Sequence, residues 1–375
     1  MTADEQGQIE GFDEMDPGRL QDQPWKPVSD RVLRVGIAGH GVCKFGAAFG
    51  FQDHPNVEVV AVTDIDPARC AEMAKSTRCS TTYPSLEELV RDDRVEAVMI
   101  ATDAPSHFQH SLLALEHGKH VGCCVPAVWG SLEDADKLYE AVKRSGLKYM
   151  MFETSAYHSD CYLMRETYRA GLLGRIIYSE GHYYHYFPEP LGSHGSWRVG
   201  PPPLWYPTHS TAYYIAVTGG YYTDVACLGF RGNISWFQPD GNSYGNPFDS
   251  ETALFKTDEG GSSRMNCCWG AAGSHGDFGL VHGELGTVIG TEFSPKEKLG
   301  DVSRFWKPRL PDGMDPGGHG GSHGYLTNEF VTAILEDRDP LINIAWSLNM
   351  TVPGIVAHES ALKDGEWLKV PHYDW

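Results

Sequence analysis

The sequence has no Cys-x-x-C pair, no long apolar run and a shortage of basic residues. Its nine cysteines are an odd number, and the neighbours Cys123-Cys124 and Cys267-Cys268 cannot readily bridge each other. That usage suits a reducing compartment and leaves the thiols structural. Without an apolar stretch of about 18 residues, no membrane span is expected. There are 30 Lys and Arg against 50 Asp and Glu, for a formal net charge of -20. Such a surface repels nucleic acid and anionic membrane, which excludes both as partners. Residues 1–30 lack the basic and apolar pattern of a signal segment and are instead acidic and polar. They read as a tail or a strap lying over another surface, and the expectation is a cytoplasmic protein.

What is present is more specific. At 375 residues the chain is long enough for two domains with substantial cores. Its first half alternates strand and helix. Apolar strands are expected near 32–38, 57–63, 95–102, 120–124 and 149–152. Helices are expected near 67–77, 107–117 and 131–146, with Ser85 and Ser131 as N-caps. Such alternation implies a parallel sheet with helices on both faces.

The character changes after residue 153. Runs rich in Tyr, Trp, Phe and Thr at 176–187, 222–230, 251–257, 263–269 and 279–290 read as an antiparallel sheet. A loop dense in Pro, Gly, Trp and His spans 187–208, and a second covers 313–324. The predicted architecture is α/β. It comprises an acidic tail (1–30), a doubly wound Rossmann domain (31–152), and an α/β domain with a large, mostly antiparallel open sheet (153–375).

Residues 32–64 carry the strongest chemical signal. A β-branched strand enters Gly39-His40-Gly41, and a second strand ends in Asp64. A glycine turn opening a helix offers backbone N–H groups to a pyrophosphate. Asp64 is placed to accept from the adenosine ribose hydroxyls and to repel a 2′-phosphate, which favours NAD over NADP. The third glycine position holds Lys44, with Gly46 two residues on. That departure is expected to loosen the packing of helix on strand.

The chain resembles the Gfo/Idh/MocA family of NAD(P)-dependent sugar oxidoreductases over roughly residues 32–370. The resemblance is carried by Gly39-His40-Gly41, by Ala101-Thr102 followed by His107, by Gly118-Lys119-His120-Val121, and by Gly171-Leu172-Leu173-Gly174-Arg175-Ile176. It implies a cofactor site formed by Gly39, His40, Gly41, Val42, Asp64, Thr102, His107, Cys124 and Pro126. It also implies an open sheet that mediates self-association as a dimer or tetramer.

Two departures redirect the reading. The family's Glu-Lys-Pro is Cys124-Val125-Pro126, so the relay lysine is missing. The Asp expected four residues before the catalytic His is Trp205, whereas His209 keeps its place. This pattern is similar to the NAD-dependent glycosidase branch typified by α-N-acetylgalactosaminidase. The likeness rests on Tyr206-Pro207-Thr208-His209, Glu153 with Tyr157, the partial Glu180-Gly181-His182-Tyr183-Tyr184-His185 match, and Gly318-His319-Gly320-Gly321.

The implied chemistry is transient oxidation of a sugar 3-hydroxyl, elimination across C-1 and C-2, water addition and re-reduction. It requires acid and base groups. Tyr206 and His209, on one short loop, are assigned to the hydroxyl and ketone. Tyr157 is assigned to the C-2 proton and would need a lowered pKa. Glu153, His185 and His319 are assigned to the sugar. Side chains alternate along a strand, so only one of His182 and His185 faces the cleft. His185 is that one by resemblance, and the neighbouring tyrosines read as sheet packing. No metal is expected, because Glu153, His182, His209 and His319 lack tight ligand spacing. Rival readings are a net NAD-dependent sugar or polyol dehydrogenase, and a non-catalytic NAD-binding sensor.

Overall fold

Six short strands form the first sheet: β1 (Leu33–Ala38), β2 (Val57–Thr63), β3 (Thr82–Tyr83), β4 (Ala97–Ile100), β5 (His120–Cys123) and β6 (Tyr149–Met151). The computed structural model describes residues 24–41, 43–187, 189–190, 195–273, 275–296, 305 and 307–375. Val42 and nearly all of the acidic tail lie outside them. The strand order is β3-β2-β1-β4-β5-β6, and every pairing is parallel. This is the doubly wound order whose ligand crevice lies at the carboxyl ends of β1 and β4. Every residue of β4 is buried, as a strand covered on both faces requires.

Local chemistry sets the helix starts. Asp66 accepts from the Ala68 amide at 2.8 Å and opens the helix Pro67–Ser76. Ser85 and Ser131 cap Leu86–Leu89 and Leu132–Ser145 through the amides of Glu88 and Asp134.

The second sheet has eight strands: β7 (Ile176–His185), β8 (Tyr222–Phe230), β9 (Ser250–Thr257), β10 (Ser262–Cys268), β11 (His275–Gly283), β12 (Gly286–Ile289), β13 (Glu292–Pro295) and β14 (Leu368–Lys369). Its order is β13-β12-β11-β7-β10-β9-β8-β14. Only β7 and β10 pair in parallel. The helices Thr208–Thr218 and Ile344–Leu362 cover the inner face. The outer face exposes Leu228, Phe230, Leu254, Phe278 and Ile289.

Two expectations need correcting. Residues 279–290 are not one strand but the hairpin of β11 and β12, which turns at 284–285. His209 does not share a loop with Tyr206; it lies in the first turn of the helix Thr208–Thr218. That helix is rich in Thr, Tyr, Ile and Val, and residues Thr208 through Val217 are all buried. Burial on every side overrides its weak helix propensity and removes any amphipathic period.

Candidate active site

The turn after β1 is tight for a steric reason. Gly39 has φ 90°, and a Cβ there would lie 2.5 Å from the Ala101 carbonyl oxygen. Gly41 faces open space. Asp64 follows β2 and braces the turn. Its Oδ2 accepts from the amides of His40 (2.7 Å) and Gly41 (3.2 Å), and its Oδ1 from Asp66 (2.8 Å). A carboxylate has about four acceptor positions, so lone-pair capacity remains for a ribose. Gly46, rather than Lys44, supplies the close approach of helix to strand. A Cβ on Gly46 would lie 2.6 Å from the Gly39 carbonyl oxygen. The packing is therefore not loosened; the third glycine is displaced by two positions.

The remaining cofactor candidates divide by environment. His40 is buried, and neither ring nitrogen has a hydrogen-bond partner among the described residues. Burial holds its pKa below the ordinary value. The Thr102 hydroxyl lies 2.9 Å from His110 Nδ1. His107 is enclosed, with Nδ1 2.8 Å from the Pro126 carbonyl and Nε2 3.2 Å from the Thr102 carbonyl. Burial opposes its charge, yet Cys123 and these two acceptors raise it to about 9. It clamps the wall of the site rather than presenting a free nitrogen. Cys124 is buried, and its thiol is pushed up by that burial. Open space at Gly41, the buried His40 ring, with Nε2 3.9 Å from Glu72 and no hydrogen bond among the described residues, and the acid at the end of β2 together fit a dinucleotide.

A second group of side chains gathers where β6 delivers the chain to the C-terminal domain. Glu153 is fully buried. Its Oε1 accepts from the Ser155 amide at 2.8 Å and lies 2.7 Å from His209 Nδ1. Ser155 Oγ is 3.1 Å from the same Nδ1 and donates to Asp277 Oδ2. Asp277 in turn pairs with His158 Nδ1 at 3.2 Å. Burial works against ionisation of both Glu153 and His209. Their mutual attraction prevails, lowering the carboxyl and raising the imidazole. A carboxylate on Nδ1 keeps the proton there and leaves Nε2 as the nitrogen offered to a reactant.

Tyr206 stacks on Tyr183, with ring centres 6.0 Å apart, and Tyr183 lies 4.5 Å from His209. The Arg198 guanidinium sits 5.1 Å from the Tyr206 ring. Burial raises the Tyr206 phenol to about 12, and Arg198 opposes that rise. His185 shares this inner face and stacks on Phe187 at 4.1 Å. His182 faces the other way, 3.1 Å from Glu180. His319 lies within electrostatic reach of His209, His158 and Asp277.

Residues 33–153 match the family profile described as "Oxidoreductase family, NAD-binding Rossmann fold". That profile is the Gfo/Idh/MocA one, and it covers about a third of the chain. Among curated proteins, "Glycosyl hydrolase family 109 protein 3" of Phocaeicola vulgatus is 32% identical over 164 residues, 41% of this chain and 29% of that protein. "Inositol 2-dehydrogenase 3" of Saccharopolyspora erythraea is 31% identical over 152 residues, 38% of this chain and 42% of that protein. The chain thus spans less than half the length of these relatives. In fold, it is similar to a levoglucosan dehydrogenase solved with NADH and levoglucosan. That match has a TM-score of 0.73 at 19% identity and covers 91% of this chain and all of the other.

The chain departs from the family it resembles in a way the geometry explains. Trp205 fills the place of the usual Asp, and its ring packs on Trp129 and Tyr244. Glu153 supplies the carboxylate to His209 instead. Tyr157 does not join this group. Among the described residues its ring neighbours are Tyr325 and the Arg165 guanidinium. Burial pushes its phenol well up, opposite to what a base at C-2 requires. Tyr183 and Arg198 stand beside His209 and Tyr206, and neither was selected from the sequence. The signal for Tyr183 was its strand parity with His185. Arg198 had none. Among the described residues no three His, Cys, Asp or Glu side chains are grouped to hold a metal, and no helix is long and apolar enough to cross a membrane.

Proposed function

We propose that this chain is a redox-neutral, NAD-dependent glycosidase. The reading rests on one observation: the imidazole of His209 is held by a fully buried Glu153, while the family's lysine place is a buried Val125. Bound NAD would take a hydride from a sugar carbinol and return it later in the same turnover. His209 Nε2 would take and return the hydroxyl proton, and Tyr206 would hold that oxygen. Burial raises the Tyr183 phenol as it does that of Tyr157, so neither tyrosine is assigned to the adjacent carbon. The names of the family 109 relatives support this class.

The test is a panel of p-nitrophenyl glycosides supplied to the NAD-loaded protein in deuterated water. Nitrophenol release with deuterium at C-2 of the freed sugar and no net NADH is the expected result. NADH formed in proportion to sugar consumed would instead establish a polyol or sugar dehydrogenase. The inositol dehydrogenase relative favours that second reading.

The outer face of the second sheet fits self-association in a reducing compartment such as the cytoplasm. Leu228 and Phe230 are each 66% exposed there. A contiguous exposed apolar face marks an interaction site. Light scattering is expected to report a dimer or tetramer, and the Leu228→Glu, Phe230→Glu double variant a smaller species.

A further inference from the structure

Asp277 has no part in the chemistry proposed above, yet it is joined to it by hydrogen bonds. Strand β11 pairs antiparallel with β7 and sets Asp277 directly opposite Tyr183. Side chains opposite each other in such a pair share one face of the sheet. That face packs on His209, whose ring centre lies 4.5 Å from that of Tyr183. The sheet thus brings a second carboxylate toward the histidine, on a different element from the one that carries Glu153.

Donor and acceptor chemistry fixes the direction of each bond. The Glu153 carboxylate only accepts, so its 2.7 Å contact places a proton on His209 Nδ1. Ser155 Oγ lies 3.1 Å from the same nitrogen, and it gives its single hydrogen to Asp277 Oδ2. Toward His209 it therefore accepts. The Nδ1–H is shared between Glu153 Oε1 and Ser155 Oγ. His158 Nδ1 stands 3.2 Å from Asp277 Oδ2 and donates to it. Asp277 is held between two donors, and Ser155 is fixed by its own amide on Glu153 Oε1 at 2.8 Å. A single acceptor on Nδ1 tolerates rotation about that contact. A second one, tied to another element, fixes the ring plane and with it the direction of Nε2.

Glu153, Asp277, Tyr183, Tyr206, Arg198 and His319 surround the His209 ring. Burial opposes a charge on it, Glu153 favours one, Asp277 adds to that and Arg198 opposes it. Asp277 is itself within electrostatic reach of His158, Asp160 and Tyr213.

We propose that Asp277 is a positioning residue for His209, acting through the Ser155 hydroxyl to hold the ring and to share the charge it gains on taking a proton. The inference rests on the reading of His209 as the acid–base group. When Nε2 takes a hydroxyl proton, the ring becomes an imidazolium and keeps its Nδ1–H. No proton passes along the chain of bonds, and none of them breaks.

The test is ring-nitrogen NMR of the full-length, NAD-loaded, ¹⁵N-histidine-labelled chain, titrated across neutral pH. His209 is assigned by its loss in His209→Ala. Asp277→Asn keeps an oxygen for the Ser155 hydroxyl and removes the charge, so the His209 midpoint is expected to fall by about one pH unit. Ser155→Ala keeps the amide bond to Glu153 and cuts the link. In that background Asp277→Asn is expected to produce less than half of the same fall, because the two residues act in series. A midpoint that Asp277→Asn leaves unmoved, or a fall of which half or more survives in Ser155→Ala, overturns the coupling. Activity separates positioning from direct contact. On a glycoside that the parent cleaves, Asp277→Ala is expected to lower kcat about tenfold or more with little change in KM. Asp277→Asn is expected to recover most of that loss, with the acid limb of kcat still displaced to lower pH. A raised KM with the parental kcat in Asp277→Ala overturns the positioning role and makes Asp277 a sugar contact. If the parent cleaves no glycoside, the proposed reaction fails, and the titrations still decide whether Asp277 acts on His209.

Discussion

Replacing His209 by alanine is expected to lower turnover by about 10²–10⁴-fold, the usual cost of losing a positioned acid–base group. NAD affinity should be little altered, because the dinucleotide turn lies on other elements; equilibrium dialysis and steady-state rates separate the two effects. Glu153→Gln tests the cause. In the parent, Glu153 raises the His209 pKa against the pull of burial. The base form of His209 is the neutral one, so the acid limb of the kcat profile should stand above pH 6.5. Glutamine removes the attraction and leaves the burial. The limb should then move to lower pH while the plateau rate falls. A limb that does not move would separate His209 from the rate-determining proton.

The same pair contributes to stability within a defined window. The raised His209 adds stability below its unfolded pKa, and that contribution fades as pH climbs through the folded value. The lowered Glu153 adds stability above its unfolded pKa, and that contribution fades as pH falls through the folded value. The two overlap between the depressed carboxyl and the raised imidazole. Glu153→Ala leaves a buried imidazole without its partner and is expected to cost about 3–5 kcal/mol near neutral pH. Denaturant unfolding across pH would measure that cost.

The nucleotide half was legible because its signals are local. Asp64 ends a β-branched strand, and Ser85 and Ser131 cap the helices they precede. Lys44 misled only because the third glycine, Gly46, stands two residues late. The cleft was legible where a motif named it, as at Tyr206 and His209, and obscure where the third dimension substitutes one element for another. The carboxylate missing at Trp205 comes from Glu153, more than fifty positions earlier and on a different element. No spacing rule connects them. Strand parity puts Tyr183 and His185 on one face, yet it does not say that His209 packs against Tyr183. The helix Thr208–Thr218 was hidden by its β-prone composition, since only complete burial makes such a sequence helical.

That helix is seated by a glycine, and a single methyl group should unseat it. A Cβ on Gly181 would lie 1.9 Å from the Ser210 carbonyl oxygen and 2.7 Å from Met265 Sδ. Ser210 follows His209 directly, and a backbone oxygen cannot swing aside as a flexible side chain can. Gly181→Ala must therefore push the helix away from β7 or distort the strand. Overpacking of this kind costs about 1–3 kcal/mol, and more when backbone is the obstacle. Thermal unfolding should shift downward by several degrees. Turnover should fall further than stability alone explains, because a shift of about 1 Å in His209 breaks its alignment with Glu153 and with whatever it acts on. Gly41→Ala is the contrasting case. Nothing lies within 4 Å of its Cβ, although its φ is 58°. It should strain only the turn, weakening NAD binding with a much smaller loss of melting temperature. If both variants lose only cofactor affinity, Gly181 does not seat the helix, and the placement of His209 needs another cause.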